Sequence, residues 1–119
     1  MSGTAGLLID TDVLVDHFRG ASRLPATDGS AYSVVTRCEL FAGRRSDEAQ
    51  IGAVLAALRE VPVDRAIAER AGRLRRETGV LVADALIAAT AIECGLALAT
   101  RNVRDFGNVP GLELRSLPR

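Results

Sequence analysis

Gly6-Leu7-Leu8-Ile9-Asp10-Thr11-Asp12-Val13-Leu14 is the stretch on which the fold turns. Leu7, Leu8 and Ile9 make a short unbroken apolar run, which predicts a strand buried on both faces. The run stops at Asp10. From Asp12 to Arg19, Val13, Leu14 and Phe18 recur at helical spacing, so a helix follows directly. Such a junction opens a strand–helix–strand unit and leaves a carboxylate where the strand quits the core. Asp10 and Asp12 also suit plain helix capping, since an Asp before a helix satisfies free N–H groups.

The same alternation continues along the chain. Residues 20–29, with Pro25 and Asp28, predict a loop, and Ala31 to Val34 a second strand. Thr36-x-x-Glu39 matches a capping box and predicts a helix start, with Leu40 and Phe41 pointing inward. Ser46 is a candidate cap for a helix whose apolar face is Ile51, Val54, Leu55 and Leu58. Val61-Pro62-Val63 reads as a short extended piece at an edge or a strand start. Asp64 predicts the start of a helix bearing Ile67, Ala71 and Leu74, with Gly79 as its stop. Ala83 to Cys94 is apolar almost all round, hence a core helix stopped by Gly95, and Leu96 to Ala99 predicts a buried strand ending at Thr100. Leu112-Glu113-Leu114 predicts a last strand. Strands separated by helices imply right-handed crossovers and a parallel sheet covered on both faces, with ligands held beyond the carboxyl ends of the strands. Asp10 and Thr100-Arg101-Asn102 occupy those ends.

Composition narrows the choices further. A chain of 119 residues fits one domain. Aromatics are only 3%, so the core must be built from Leu, Val, Ile and many Ala. Fifteen acidic residues balance fifteen basic ones, which excludes a protein-wide basic footprint and leaves at most a local patch for nucleic acid. Apart from His17, expected on a helix surface, every basic residue is Arg, so chemistry needing a catalytic lysine is excluded. Cys38 and Cys94 lie in apolar helical patterns without a CxxC partner and are expected to be reduced core residues. No apolar run reaches the roughly 18 residues of a membrane span, and no leader pattern opens the chain, so the expected location is the cytoplasm.

Asp84 is the anomaly, an acid within Val82-Ala83-Asp84-Ala85-Leu86-Ile87. It either caps the core helix or must find a cation, because an unpaired buried charge costs several kcal/mol or more. If Asp10, Glu39 and Asp84 converge, mutual repulsion opposes their joint ionisation. A divalent ion relieves this, and an all-oxygen donor set favours Mg2+ or Mn2+ over Zn2+. Thr100 and Asn102 at the strand end are candidates to hold a cation-bound water or a phosphate oxygen. Arg101 and Arg104 are candidates for phosphate contact, while Asn102 and Asp105 equally suit turn formation with Phe106 as a core anchor. Arg44, Arg45, Arg73, Arg75 and Arg76 are further candidates for a local phosphate patch, or simply solvated helix faces.

Taken together these pieces resemble the PIN-domain family, and within it the VapC-type toxins. The resemblance rests on residues 8–14, on Ser33-Val34-Val35-Thr36 leading to Glu39-Leu40 and Gly43, on residues 83–89, and on Thr100-Arg101-Asn102-Val103-Arg104-Asp105-Phe106. It implies a single PIN domain over residues 1–119, a three-layer α/β/α sandwich with a central parallel sheet. It also implies an Mg2+-dependent (or Mn2+-dependent), single-strand-selective endoribonuclease with Asp10, Glu39 and Asp84 as the catalytic metal site. RNA cleavage leaving a 5′-phosphate, a VapB-type antitoxin partner and a homodimer come with the same resemblance. The family often carries Asn where this chain has Asp12, so an extra acid is present, and the fourth acidic position falls to Asp105 or is taken by Asn102.

Two other classes are weighed against this one. Asp10-Thr11-Asp12 is similar to the DxD of haloacid-dehalogenase-type phosphatases, but that pattern has Thr or Val where Leu14 stands. Receiver domains use a lysine, which this chain lacks. A non-catalytic PIN-like binding module would not need the acids to be intact.

Overall fold

The computed structural model describes residues 6–20, 23–24, 29–44 and 47–117. Among them, β1 (Leu7–Ile9) leads into α1 (Thr11–Phe18), then β2 (Ala31–Ser33), α2 (Val34–Phe41) and α3 (Glu48–Ala56). There follow β3 (Arg59–Val61), α4 (Arg65–Thr78), α5 (Val82–Cys94), β4 (Ala97–Thr100), α6 (Val103–Phe106) and β5 (Leu114–Ser116). The strands form one sheet in the order β3-β2-β1-β4-β5, and every pairing is parallel. The α/β/α expectation holds, and its physical reason is visible in the alternation of β1. Leu8 packs with residues of α4 and α5, whereas Ile9 packs with residues of α1 and α3. Successive side chains of a strand point to opposite faces, so the sheet is sealed by helices on both.

β1 is the centre of the sheet, with β2 on one side and β4 on the other. The chain thus winds one way from β1 and later returns on its other flank, which puts the switch in strand order between β1 and β4. Leu7, Leu8 and Ile9 face Ala97, Leu98 and Ala99 in register. The ladder runs one residue further, with the Asp10 N–H donating to the Ala99 carbonyl at 3.0 Å. Asp10 and Thr100 therefore leave the sheet side by side, at the place where parallel sheets hold ligands.

Local chemistry explains most helix boundaries and corrects several expectations. Asp64 caps α4 by accepting from the Ile67 N–H at 2.8 Å. Gly79 and Gly95 end α4 and α5 at φ of 77° and 67°, left-handed conformations that cost a side-chain-bearing residue more than glycine. The capping box at Thr36 is not used: α2 begins at Val34, capped by Ser33. Thr36 then lies inside the helix, fully buried, and Glu39 sits beyond its first turn. Ser46 falls outside the described residues, as do Arg45 and most of the loop with Pro25 and Asp28; α3 is capped by Asp47. The last strand lies two residues later than expected, and residues 103–106 form a short helix that the polar sequence had suggested as a turn.

Cys38 and Cys94 are free but exposed, not core. On α2 the buried residues are Thr36 and Leu40, so Cys38, two positions from each, faces outward. Cys94 belongs to the last turn of α5, where the helix has passed the edge of its buried stretch. The back of α2 is tied to the sheet by a polar knot. Arg37 Nε donates to Glu60 Oε1 at 2.5 Å, Arg37 Nη2 to the Tyr32 hydroxyl at 2.9 Å, and that hydroxyl to Glu60 at 2.7 Å. These bonds to the Arg37 guanidinium and the Tyr32 hydroxyl hold the Glu60 carboxyl below its usual range.

Leu98 is completely enclosed between the sheet and the α4–α5 layer. Leu98→Ala is expected to lower the unfolding free energy by about 2–5 kcal/mol, read as a lower urea midpoint at unchanged slope. A loss under about 1 kcal/mol would mean that this layer is not close-packed.

Candidate active site

Asp10 forms the floor of the site. It is the N-cap of α1, with Oδ1 accepting from the Thr11 N–H at 2.8 Å, and Oδ2 accepting from the Thr100 hydroxyl at 2.7 Å. It is only 5% exposed. Capping and site membership are thus not alternatives for this residue. Burial, reinforced by the neighbouring Asp12 charge, lifts its pKa from the ordinary 3.8 to about 7, against the opposing pull of the Thr100 and Thr11 hydrogen bonds.

Asp12 stands in the first turn of α1 and bridges to β4. Its Oδ2 accepts from the Arg101 N–H at 3.2 Å and, more weakly, lies 3.4 Å from the Thr100 hydroxyl. Its Oδ1 is buried and accepts no hydrogen bond among the described residues. A buried acceptor in that condition costs about 1–3 kcal/mol, more when charged, unless something binds it.

Asp84 lies in the first turn of α5, half-buried, and no side chain closes that helix N-terminus. It does not serve as the cap; Leu81 holds that position. Burial raises the Asp84 pKa, and the charges of Asp105, Glu39 and Asp12 raise it further. Glu39 approaches from α2 and is exposed; its Oε1 accepts from the Thr11 hydroxyl at 2.6 Å. Asp105, on α6, is exposed and accepts from the Asn102 side-chain amide at 2.5 Å. The Asn102 N–H in turn donates to the Thr100 hydroxyl at 2.9 Å, so this rim is tied back to Asp10. Acids from α1, α2, α5 and α6 therefore face one recess beyond β1 and β4, three of them at or near helix N-termini whose dipoles favour negative charge.

Arg101 does not present its guanidinium to the recess. Its side chain is 5% exposed, and Nη1 lies 3.5 Å from Asp16 Oδ2 on α1. As it lies, the guanidinium expected to contact phosphate is enclosed beside Asp16. Arg44 instead lines a groove of about 650 Å3 that includes Glu39, with Arg19, Phe18, Leu40 and Ile51 among its walls. Arg75 is committed to the Val80 carbonyl. The sequence reading missed Thr11, Thr36 and Asp16 as members of this region. Thr11 lay in plain view between two acids, whereas Thr36 was hidden behind a capping signature that α2 does not use.

Among the described residues, no three Asp, Glu, His or Cys side chains are gathered tightly enough to chelate an ion as they lie. The donor chemistry nevertheless fits a hard divalent cation. The groups gathered there are carboxylate and hydroxyl oxygens, the Asp12 Oδ1 acceptor is unmatched, and Asp10 and Asp84 are both pushed toward protonation by burial and neighbouring acids.

A family model for the PIN domain matches residues 7–112. Ribonuclease VapC10 of Mycobacterium tuberculosis is 40% identical over 113 residues, covering 84% of this chain and 85% of the relative. Ribonuclease VapC19 of the same organism is 38% identical over 120 residues, covering 89% and 96%. Among solved structures, a toxin–antitoxin complex from Klebsiella pneumoniae superposes with a TM-score of 0.77 at 30% identity, over 95% of this chain and 100% of that one.

The pH dependence of stability has a definite sign. Folding raises the Asp10 pKa from 3.8 to about 7, so the folded state holds this proton more tightly than the unfolded chain. The corresponding stability is complete below the unfolded value and is lost as pH rises through the folded one. Asp84 acts in the same direction. Metal-free protein is therefore expected to become more stable as pH falls from about 8 to about 5, and Asp10→Asn to flatten most of that slope. Urea melts in EDTA across this range measure it; stability that climbs toward pH 8 would contradict the assignment.

Proposed function

This chain belongs to the PIN-domain family, and we propose that it is a metal-dependent, single-strand-selective endoribonuclease acting as the toxin of a toxin–antitoxin pair. The observation that carries this reading is the recess beyond β1 and β4. There Asp10 is buried yet bonded on both oxygens, and the charges of Asp12 and Asp84 act on it. Its relatives named ribonucleases, 38–40% identical over most of their length, support phosphodiester hydrolysis of RNA.

Asp10, Asp84 and Glu39 are the residues that would hold the cation, with Asp12 as an additional carboxylate. Mg2+ is the ion we favour, and Mn2+ suits the same oxygen set. When bound, such an ion supplies Lewis acidity and lowers the pKa of a water. The protein's own contribution is positional. The Thr100 hydroxyl donates to Asp10 and accepts from the Asn102 N–H, so one hydroxyl links the floor to the rim. Asn102 bonds Asp105 at the surface, and Asp105 would meet substrate from there. With its pKa lifted to about 7, Asp10 would have to give up its proton to hold a cation, so cation binding would weaken as pH falls below neutral.

Substrate must reach an acid only 5% exposed behind an exposed rim. A flexible single strand can bend its backbone into such a recess, whereas a helical duplex holds its phosphates in a fixed frame; this is the basis for single-strand selectivity. Arg44 and Arg19, in the groove shared with Glu39, are the phosphate contacts we assign.

We assign a VapB-type antitoxin and a second copy of this chain as protein partners, in keeping with the toxin–antitoxin complex that shares the fold. Leu81 and Val82, 69% and 57% exposed, offer apolar surface for such contacts. Among the described residues no helix is long and apolar enough to cross a membrane; the cytoplasm, where the RNA is, is the compartment we infer. The chain acts as a single domain.

Asp10→Ala or Asp84→Ala is expected to reduce cleavage of a single-stranded RNA more than about 100-fold, since even residues that merely support a metal ligand cost 10–100-fold. EDTA should do the same to the unaltered protein, and added Mg2+ should restore it. Circular dichroism confirms that the variants are folded. Undiminished cleavage by folded Asp84→Ala protein would remove Asp84 from the site, and undiminished cleavage in EDTA would overturn metal dependence.

A further inference from the structure

Glu39 is the exposed member of the proposed cation site, and an exposed glutamate ordinarily samples many rotamers. Here it is anchored. Its Oε1 lies 2.6 Å from the Thr11 hydroxyl, and that hydroxyl lies 2.9 Å from the hydroxyl of Thr36. The direction of these bonds follows from counting protons. An ionised carboxylate only accepts, so the single Thr11 proton points at Glu39. The Thr11 oxygen is then the acceptor for Thr36, whose side chain is fully buried and has no solvent alternative.

We propose that Thr36 and Thr11 form a directed two-hydroxyl relay, Thr36 to Thr11 to Glu39, which positions the Glu39 carboxylate for the reaction. The inference rests on the reading of Glu39 as a cation-site residue. Its geometry draws on two helices. Thr36 and Glu39 stand three residues apart on one side of α2, while Thr11 is the first residue of α1, next to Asp10. The last bond of the relay is charge-assisted and so the stronger of the two, and the first polarises it. Behind α2, Arg37 bonds Glu60 and Tyr32 and so ties the helix to β2 and β3. Thr36 and Thr11 are thus positioning residues, and the spacing between α1 and α2 sets where Glu39 lies relative to Asp10.

The test uses Thr11→Val and Thr36→Val, which keep shape and remove the hydroxyl, with Thr11→Ser and Thr36→Ser as rescues. Three quantities are read: kcat, the KM for a single-stranded RNA, and Mn2+ affinity by titration calorimetry. Thr11→Val should lower kcat and Mn2+ affinity by roughly tenfold or more, with RNA KM unchanged. Thr36→Val should show a smaller loss of the same kind, and both serine variants should recover. The double valine variant should be no worse than Thr11→Val alone. In a Glu39→Gln background, neither valine substitution should lower Mn2+ affinity further.

Valine losses that persist undiminished in the Glu39→Gln background, or that serine does not rescue, would show a packing role and overturn the relay. Silent valine variants beside an inactive Glu39→Gln would overturn the relay and leave the nuclease reading standing. A Glu39→Gln protein with normal cleavage and Mn2+ affinity would remove Glu39 from the site and the relay with it. If Thr36→Val fails to fold, the half-buried Thr11 variants and Thr36→Ser decide the matter on the same readouts.

Discussion

Asp10 binds the fold and the chemistry into a single constraint. Its backbone extends the β1–β4 ladder, one carboxylate oxygen starts α1, and the other holds the hydroxyl of Thr100. A carboxyl so deeply placed is tolerated because these hydrogen bonds replace part of its hydration. They do not cancel the charge, which is why the proton is held to about pH 7. The architecture therefore concentrates negative potential at the sheet switch, and its nearest buried guanidinium, Arg101, is turned toward Asp16. A proton relieves that charge in part, and in the proposed function a hard cation would compete with it.

The elements around that point carry their acids at graded depth. The floor is built from β1 and β4, where Leu8, Ile9 and Leu98 are fully buried. The rim is carried by α2 and α6, whose acids Glu39 and Asp105 are exposed and fixed by single polar bonds. Burial thus falls from Asp10 outward, from a floor closed to solvent to a rim open to it.

Much of this was legible in the sequence, because the strong signals were local. Leu7-Leu8-Ile9 ending at Asp10 and the apolar run ending at Thr100 gave two buried strands and their polar ends. Asp64 with Gly79, and Gly95 after the core helix, marked helix limits correctly. Two of the errors arose where a local motif was outweighed by a longer-range contact. Thr36-x-x-Glu39 has the letters of a capping box, yet Ser33 caps the helix, and Thr36 is drawn inward to Thr11, 25 residues away in sequence. Arg101 looked like a surface cation beside a turn, yet it pairs with an acid on α1. That Asp10 and Thr100 touch, 90 positions apart, depends on strand order, which residue spacing alone does not specify.

The outward turn of Cys38 and Cys94 has a practical side. Exposed thiols left in air become oxidised, and they can join one molecule to another through a disulfide. Covalent pairs on a non-reducing gel would then record the history of the sample, while a non-covalent association would survive reductant. Cys38 also adjoins Glu39 in the chain, so an alkylating reagent would place its adduct on the α2 rim and offers a spectroscopic handle beside the recess without disturbing its floor.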